Sequence, residues 1–237
     1  MSFRNPSLHL FIKSHNVCRN SFRSISHCAH RLVDSAQQDK RDPCGIRMEQ
    51  VHLASASTRR AVILRDVLPD DVDVIQSPLN ARERPHGHGL LVEEQVSHTL
   101  QGKIEAAQRE LQHPYIIVAD TLVADPEDPK KALGQPSDVS DALQMLLHLS
   151  GRRHHVWSGS AIICGDDVRT WIESATVEIE PLSDETLEAL IHSGSWRGKA
   201  GGYDLADAMG QFGKVIEGDE VCVLGFAGSL LAALAND

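Results

Sequence analysis

One short run, Tyr115-Ile116-Ile117-Val118-Ala119-Asp120, constrains the fold more than any other stretch of this chain. It has five successive apolar residues, three of them β-branched, and no polar face. That predicts a strand covered on both sides and ending in a carboxylate. Such a strand needs helices on each face of its sheet, and the flanking sequence supplies them. Residues 51–54 read as a second buried strand, and Ser55-Ala56-Ser57-Thr58 then offers hydroxyl caps for a helix over 59–68, stopped by Pro69. Residues 72–76 read as a strand. Residues 92–111 read as a helix, with Val96, Leu100, Ile104 and Ala107 on one stripe.

Beyond the acidic strand the alternation continues. A helix is predicted to residue 149 from a Ser137 or Asp138 cap. Two strands, 155–164 and 168–179, turn about Gly165-Asp166-Asp167. A helix starts at Ser183 or Asp184, and a glycine-rich stretch covers 194–213. Short strands at 214–216 and 221–224 and a helix over 226–234 complete the pattern. Strands alternating with helices from residue 48 onward predict an α/β fold.

The 237 residues are 41% hydrophobic, enough for a sizeable core. Aromatics are only 4%, which argues against a base-stacking surface for single-stranded nucleic acid. The formal charge of −10 implies no affinity for nucleic acid polymers or anionic membranes. That charge is divided unevenly. Residues 1–47 hold eight Lys/Arg against three Asp, and no acid precedes Asp34.

Such a leader resembles a transit peptide in composition, yet the first convincing strand follows Met48 almost at once. The expected organisation is therefore a disordered extension or start-site artefact over 1–47 and one domain over 48–237. The spacing of Cys18, Cys28 and Cys44 matches no closed zinc module. Cys164 and Cys222 read as two isolated core thiols, and a reducing, cytoplasmic compartment follows.

Four groups carry candidate chemistry. Ser55 to Arg60 place two hydroxyls and two guanidiniums at a helix start, where free amides and the helix dipole attract anions. A plain N-cap with two solvated arginines is the alternative. Asp120 stands where ligands of open α/β sheets gather, able to bind a hard cation or accept a proton from water. It equally suits a turn cap with Thr121. Lys103 lies on the long helix, where a lone lysine is usually solvated. Lys199 is embedded in Gly198-Lys199-Ala200-Gly201-Gly202-Tyr203, a turn that either approaches phosphate or is an ordinary surface loop. His154 and His155 lack metal-ligand companions and read as strand-start residues.

In this order the pieces resemble the Maf family of nucleoside triphosphate pyrophosphatases. The matching stretches are Leu53-Ala54-Ser55-Ala56-Ser57-Thr58-Arg59-Arg60, Lys103, Ala119-Asp120-Thr121, Leu133-Gly134-Gln135-Pro136, residues 149–156, Lys199-Ala200-Gly201-Gly202-Tyr203 and Gly218-Asp219. The resemblance covers residues 50–235. It implies a mixed, twisted sheet flanked by helices around a central cleft, as in inosine triphosphatase-like enzymes. It also implies hydrolysis of a nucleoside triphosphate to the monophosphate and pyrophosphate with Mg²⁺ or Mn²⁺. Asp120 then matches the catalytic proton acceptor and metal-binding acid, Arg59 and Lys103 match phosphate-binding positions, and Ser57 the hydroxyl beside them. Lys199 joins them as a substrate-binding residue, and a homodimer is the expected assembly left open.

This chain departs from the family's pattern at several positions. Asn80 stands where a glutamate is usual, with Glu83 three residues on. Gln135 replaces a lysine, Gly198 an acid, Ala206 a glutamine and Thr58 a proline. Ala119-Asp120-Thr121 resembles the branch acting on dTTP and UTP, whereas Asp204-Leu205-Ala206-Asp207 fits no branch well. Each lost polar contact costs about 10²–10³ in rate, so a non-hydrolytic nucleotide-binding relative is the alternative expectation.

Overall fold

The computed structural model describes residues 48–80 and 89–235. The extension over 1–47, its cysteines and Glu83 lie outside the described residues. Strand β1 (Gln50–Leu53) runs into helix α1 (Thr58–Val67), whose N-cap is Ser57. The Ser57 hydroxyl accepts a hydrogen bond from the Arg60 amide, satisfying one of the free donors of the first turn. Strand β2 (Asp73–Gln76) and helix α2 (Val92–Glu110) follow. Next come β3 (Tyr115–Ala124), the short β4 (Ala132–Leu133) and α3 (Val139–Leu149). The hairpin of β5 (Arg153–Cys164) and β6 (Asp167–Ile179) precedes α4 (Asp184–Ser193). Two 3₁₀ turns lead to β7 (Gly213–Glu217), α5 (Glu220–Leu224) and α6 (Gly228–Ala235).

Among the described residues one sheet has the order β2-β1-β3-β5-β6-β7, with β4 paired to the far end of β3. Strands β2, β1 and β3 are parallel; β3, β5, β6 and β7 are antiparallel neighbours. The expected mixed α/β sheet flanked by helices is what the chain forms. Side chains alternate along β3. Ile116 and Val118 pack with Leu100, Ile104 and Ala107 of α2. Ile117 and Ala119 pack on the other face with Ile63 and Leu64 of α1 and Leu230 and Leu231 of α6. No helix among the described residues is long and apolar enough to cross a membrane.

Three expectations are corrected. Strand β3 does not end at Asp120 but runs on to Ala124, because β5 pairs with it from Tyr115↔Cys164 to Val123↔Val156. Residues 221–224 are helical rather than extended. Asp219 caps the Val221 amide, and Gly225 leaves the helix at φ +116 in the left-handed region. Cys222 is a free buried thiol, whereas Cys164 is disulfide-bonded and so does not fit the reading of two isolated thiols.

Candidate active site

Parallel pairing between β1 and β3 stops at Leu53↔Ile117, and β4 pairs β3 only from Val123. Between them the middle of β3 has no strand partner on that edge, and the chain leaving β1 turns away into α1. Asp120 lies on this stretch, just past the carboxyl end of β1. That is where α/β sheets open their ligand crevices. A cleft of about 770 Å³ forms there, and its lining includes all five residues singled out as candidates: Ser57, Arg59, Lys103, Asp120 and Lys199.

Alternation along β3 aims Asp120 at α2. Its register partner on β5 is Gly159, where a Cβ would lie 3.0 Å from Ile172 Cδ1 and 3.3 Å from Leu100 Cδ2. The missing side chain lets α2 pack close to the sheet. Lys103, one turn beyond Leu100, then forms an ion pair with Asp120 Oδ1. The carboxylate's other oxygen, Oδ2, is buried and has no hydrogen-bond partner among the described residues. A buried carboxylate oxygen without a partner is costly.

On the opposite face of β3 the neighbouring arginine is fully engaged with protein. Arg60 Nε donates to the Gly225 carbonyl at 2.8 Å and Nη2 to Thr121 Oγ1 at 2.9 Å. Its Nη1 reaches the Ala119 carbonyl at 3.1 Å and Ser55 Oγ at 3.3 Å. Burial lowers its pKa to about 10, partly opposed by the Asp120 charge, so it stays cationic at neutral pH. Arg59, one residue earlier, donates through Nε to the Leu224 carbonyl at 2.8 Å. The last carbonyl of α5 and that of its C-cap Gly225 thus orient the two guanidiniums, as a helix carboxyl terminus favours cations.

The glycine-dense loop carries the remaining cation. Lys199 Nζ lies 2.8 Å from Asp204 Oδ2, and Arg59 Nη1 lies 2.5 Å from Asp204 Oδ1. Burial disfavours the Asp204 charge, but these two cations outweigh it and hold the carboxyl below the usual range. Beside it the Tyr203 hydroxyl meets His154 Nε2 at 2.7 Å within the interior. Burial, reinforced by His155, lowers the His154 pKa to about 4, and burial pushes the phenol upward.

Among the described residues no group of three or more His, Cys, Asp or Glu is gathered as a metal site. Among the described residues, the cleft carboxylate oxygen without a hydrogen-bond partner is Asp120 Oδ2. Mg²⁺ commonly takes one or two carboxylates and completes its shell with water and substrate phosphate. The donor set fits a cation brought in with a polyphosphate.

Residues 50–237 match the family model described as Maf-like protein. The chain belongs to the Maf family. A dTTP/UTP pyrophosphatase from Granulibacter bethesdensis is 36% identical over 189 residues, covering 73% of this chain and 85% of that protein. Proteins of the same name from Pyrococcus furiosus and Novosphingobium aromaticivorans are 35% and 34% identical. They cover 75% and 73% of this chain, and 90% and 84% of their own lengths. A crystal structure of a nucleoside-triphosphatase (dITP/XTP pyrophosphatase) from Mycobacterium abscessus is a weak likeness at 12% identity. Its TM-score is 0.33, covering 55% of this chain and 72% of that one.

The positions where this Maf protein departs from the family pattern are unequally placed. Thr58, Gln135 and Gly198 line the cleft. Asn80 and Ala206 are not part of its lining; the Asn80 amide donates to Glu110 Oε2, and the Ala206 amide to Asp204 Oδ1. Sequence reasoning missed Arg60 as a buried strut and Asp204 as the partner of two cleft cations. Nothing local marks either. The helical α5 was signalled by Asp219 and Gly225 flanking the apolar run, a cap pair outweighed by its β-branched composition.

Proposed function

We propose that this Maf protein hydrolyses the α–β anhydride of a nucleoside triphosphate, releasing the monophosphate and pyrophosphate. Residues 48–237 form the proposed catalytic unit. The observation that carries the reading is the unpartnered Asp120 Oδ2 in a cleft that also holds Lys103, Arg59 and Lys199. In the reaction a water oxygen forms a bond to the α-phosphorus as the α–β bridging P–O bond breaks. The bridging oxygen and its electron pair depart with pyrophosphate, and the water's proton passes to Asp120. Lys103, Arg59 and Lys199 neutralise charge on the phosphoryl oxygens, and the Ser57 turn at the start of α1 presents amides to them. Asp120 together with substrate oxygens would hold Mg²⁺ or Mn²⁺, which supplies further charge neutralisation when bound.

The curated relatives named dTTP/UTP pyrophosphatases make dTTP and UTP the first substrates of this proposal, in keeping with Ala119-Asp120-Thr121. The comparisons lend no support to a non-hydrolytic relative. The full chain, incubated with canonical and modified triphosphates and Mg²⁺ or Mn²⁺, is expected to release pyrophosphate. Asp120→Asn should lower kcat by about 10³ or more with an unchanged fold. Product formation no greater than in that variant would overturn the proposal. Gln135→Lys, restoring a cation to the cleft lining, should raise kcat/KM about tenfold.

A further inference from the structure

We propose that Asp204 is an internal counter-anion that competes with substrate phosphate for Arg59 and Lys199 and thereby sets the affinity of the cleft for polyphosphate. This rests on the functional reading above. Two of the three cations assigned to phosphate, Arg59 and Lys199, are already held by one carboxylate. Asp204 is 6% exposed, with Oδ1 on Arg59 and the Ala206 amide and Oδ2 on Lys199. Each oxygen is engaged by a cation, in contrast to Oδ2 of Asp120. Carboxylate and phosphate are both hard oxyanions that use the same guanidinium edge and ammonium donors. A phosphate that takes those donors must displace the carboxylate or crowd against a like charge, and like-charge contact at a binding surface weakens it. The geometry favours displacement. Arg59 is anchored through Nε to Leu224, which leaves its Nη1 edge as the exchangeable part. Asp204 follows Gly201 and Gly202, which adopt φ of +69 and +73, left-handed conformations that glycine accepts without strain.

Calorimetric titration of the full chain with inorganic triphosphate tests the proposal. Asp204→Asn keeps the shape and the acceptor for the Ala206 amide but removes the charge. It is expected to bind triphosphate about tenfold more tightly, with an affinity that falls more steeply with ionic strength. The KM for the triphosphate substrate should fall in parallel, and Asp204→Glu should return towards wild type. Thermal unfolding checks that each variant is folded, and Asp204→Ser serves if the amide does not fold. Unchanged or weaker binding by folded Asp204→Asn, with binding still lost in Arg59→Ala, would make Asp204 a positioning residue and overturn this inference alone. Absence of triphosphate binding from wild type and every folded variant would overturn the proposed function with it.

Discussion

Arg59 and Arg60 are adjacent in the chain and chemically identical, yet they have different tasks. The first step of α1 turns Arg59 toward the cleft and Arg60 under β3. Arg60 satisfies acceptors on three separate segments: Gly225, the Ala119–Thr121 strand and Ser55. Arg60→Ala would leave buried carbonyls without donors, each costing about 1–3 kcal/mol. A total loss of about 3 kcal/mol is expected, seen as a fall in Tm of about 6 °C or more for a chain of this size. Arg60→Lys keeps the charge but not the planar fork, so it should recover only part of that loss. A Tm within about 1 °C of wild type for the alanine variant would show that the strut is dispensable.

Helix α2 shows how an element, rather than a residue, sets the geometry of the proposed site. Its apolar stripe was legible, and Val96, Leu100, Ile104 and Ala107 are all buried. The same spacing that buries the stripe carries Lys103 along its margin, and the approach of the helix to the sheet decides whether that lysine meets Asp120. Gly159 sets the approach. Gly159→Ala places a methyl 3.0 Å from Ile172 Cδ1 of β6 and 3.3 Å from Leu100 Cδ2 of α2, so these side chains must give by a few tenths of an ångström. We expect about 1–2 kcal/mol of overpacking strain and about a tenfold lower kcat/KM as Lys103 is displaced. Steady-state kinetics beside thermal unfolding check it; full activity in a destabilised variant would uncouple the helix from the chemistry. Residues 221–224 teach the opposite lesson. Their apolar, β-branched composition suggests a strand, but a capped single turn packed on β5 and β6 satisfies its backbone locally and presents carbonyls to both arginines.

Across the whole molecule, β3 is a partition between two hydrophobic cores, and the gap on one of its edges between parallel β1 and antiparallel β4 opens the cleft at its middle. The same interior makes stability depend on pH. His154 is buried with its pKa lowered to about 4, so its neutral form belongs to the folded state. A depressed pKa gives stability that is fully present above about 6.5 and is lost as pH falls towards 4, by about 2–3 kcal/mol. Urea unfolding at pH 7 and pH 4.5 should show this loss, and His154→Gln should flatten it. A second acid-sensitive latch lies at the end of β3. Burial disfavours the Asp125 charge, but hydrogen bonds from His148 and Lys131 at 2.8 Å and from the Glu127 amide prevail and depress its pKa. Its contribution is present above the ordinary carboxylate range and disappears below it. Asp125→Asn should therefore reduce the remaining loss of stability at lower pH.

What the sequence determined by itself was local and periodic. The buried run of β3, the stripe of α2, a hydroxyl cap within residues 55–58 and the residue types able to handle a phosphate could all be read from spacing, because strand and helix periods act over a few residues. Tertiary structure alone decided which oxygen of Asp120 is left without a hydrogen-bond partner, which arginine braces the sheet and which carboxylate holds the cleft cations. Those choices depend on partners such as Arg59 and Leu224, 165 residues apart, that only folding brings within hydrogen-bonding distance.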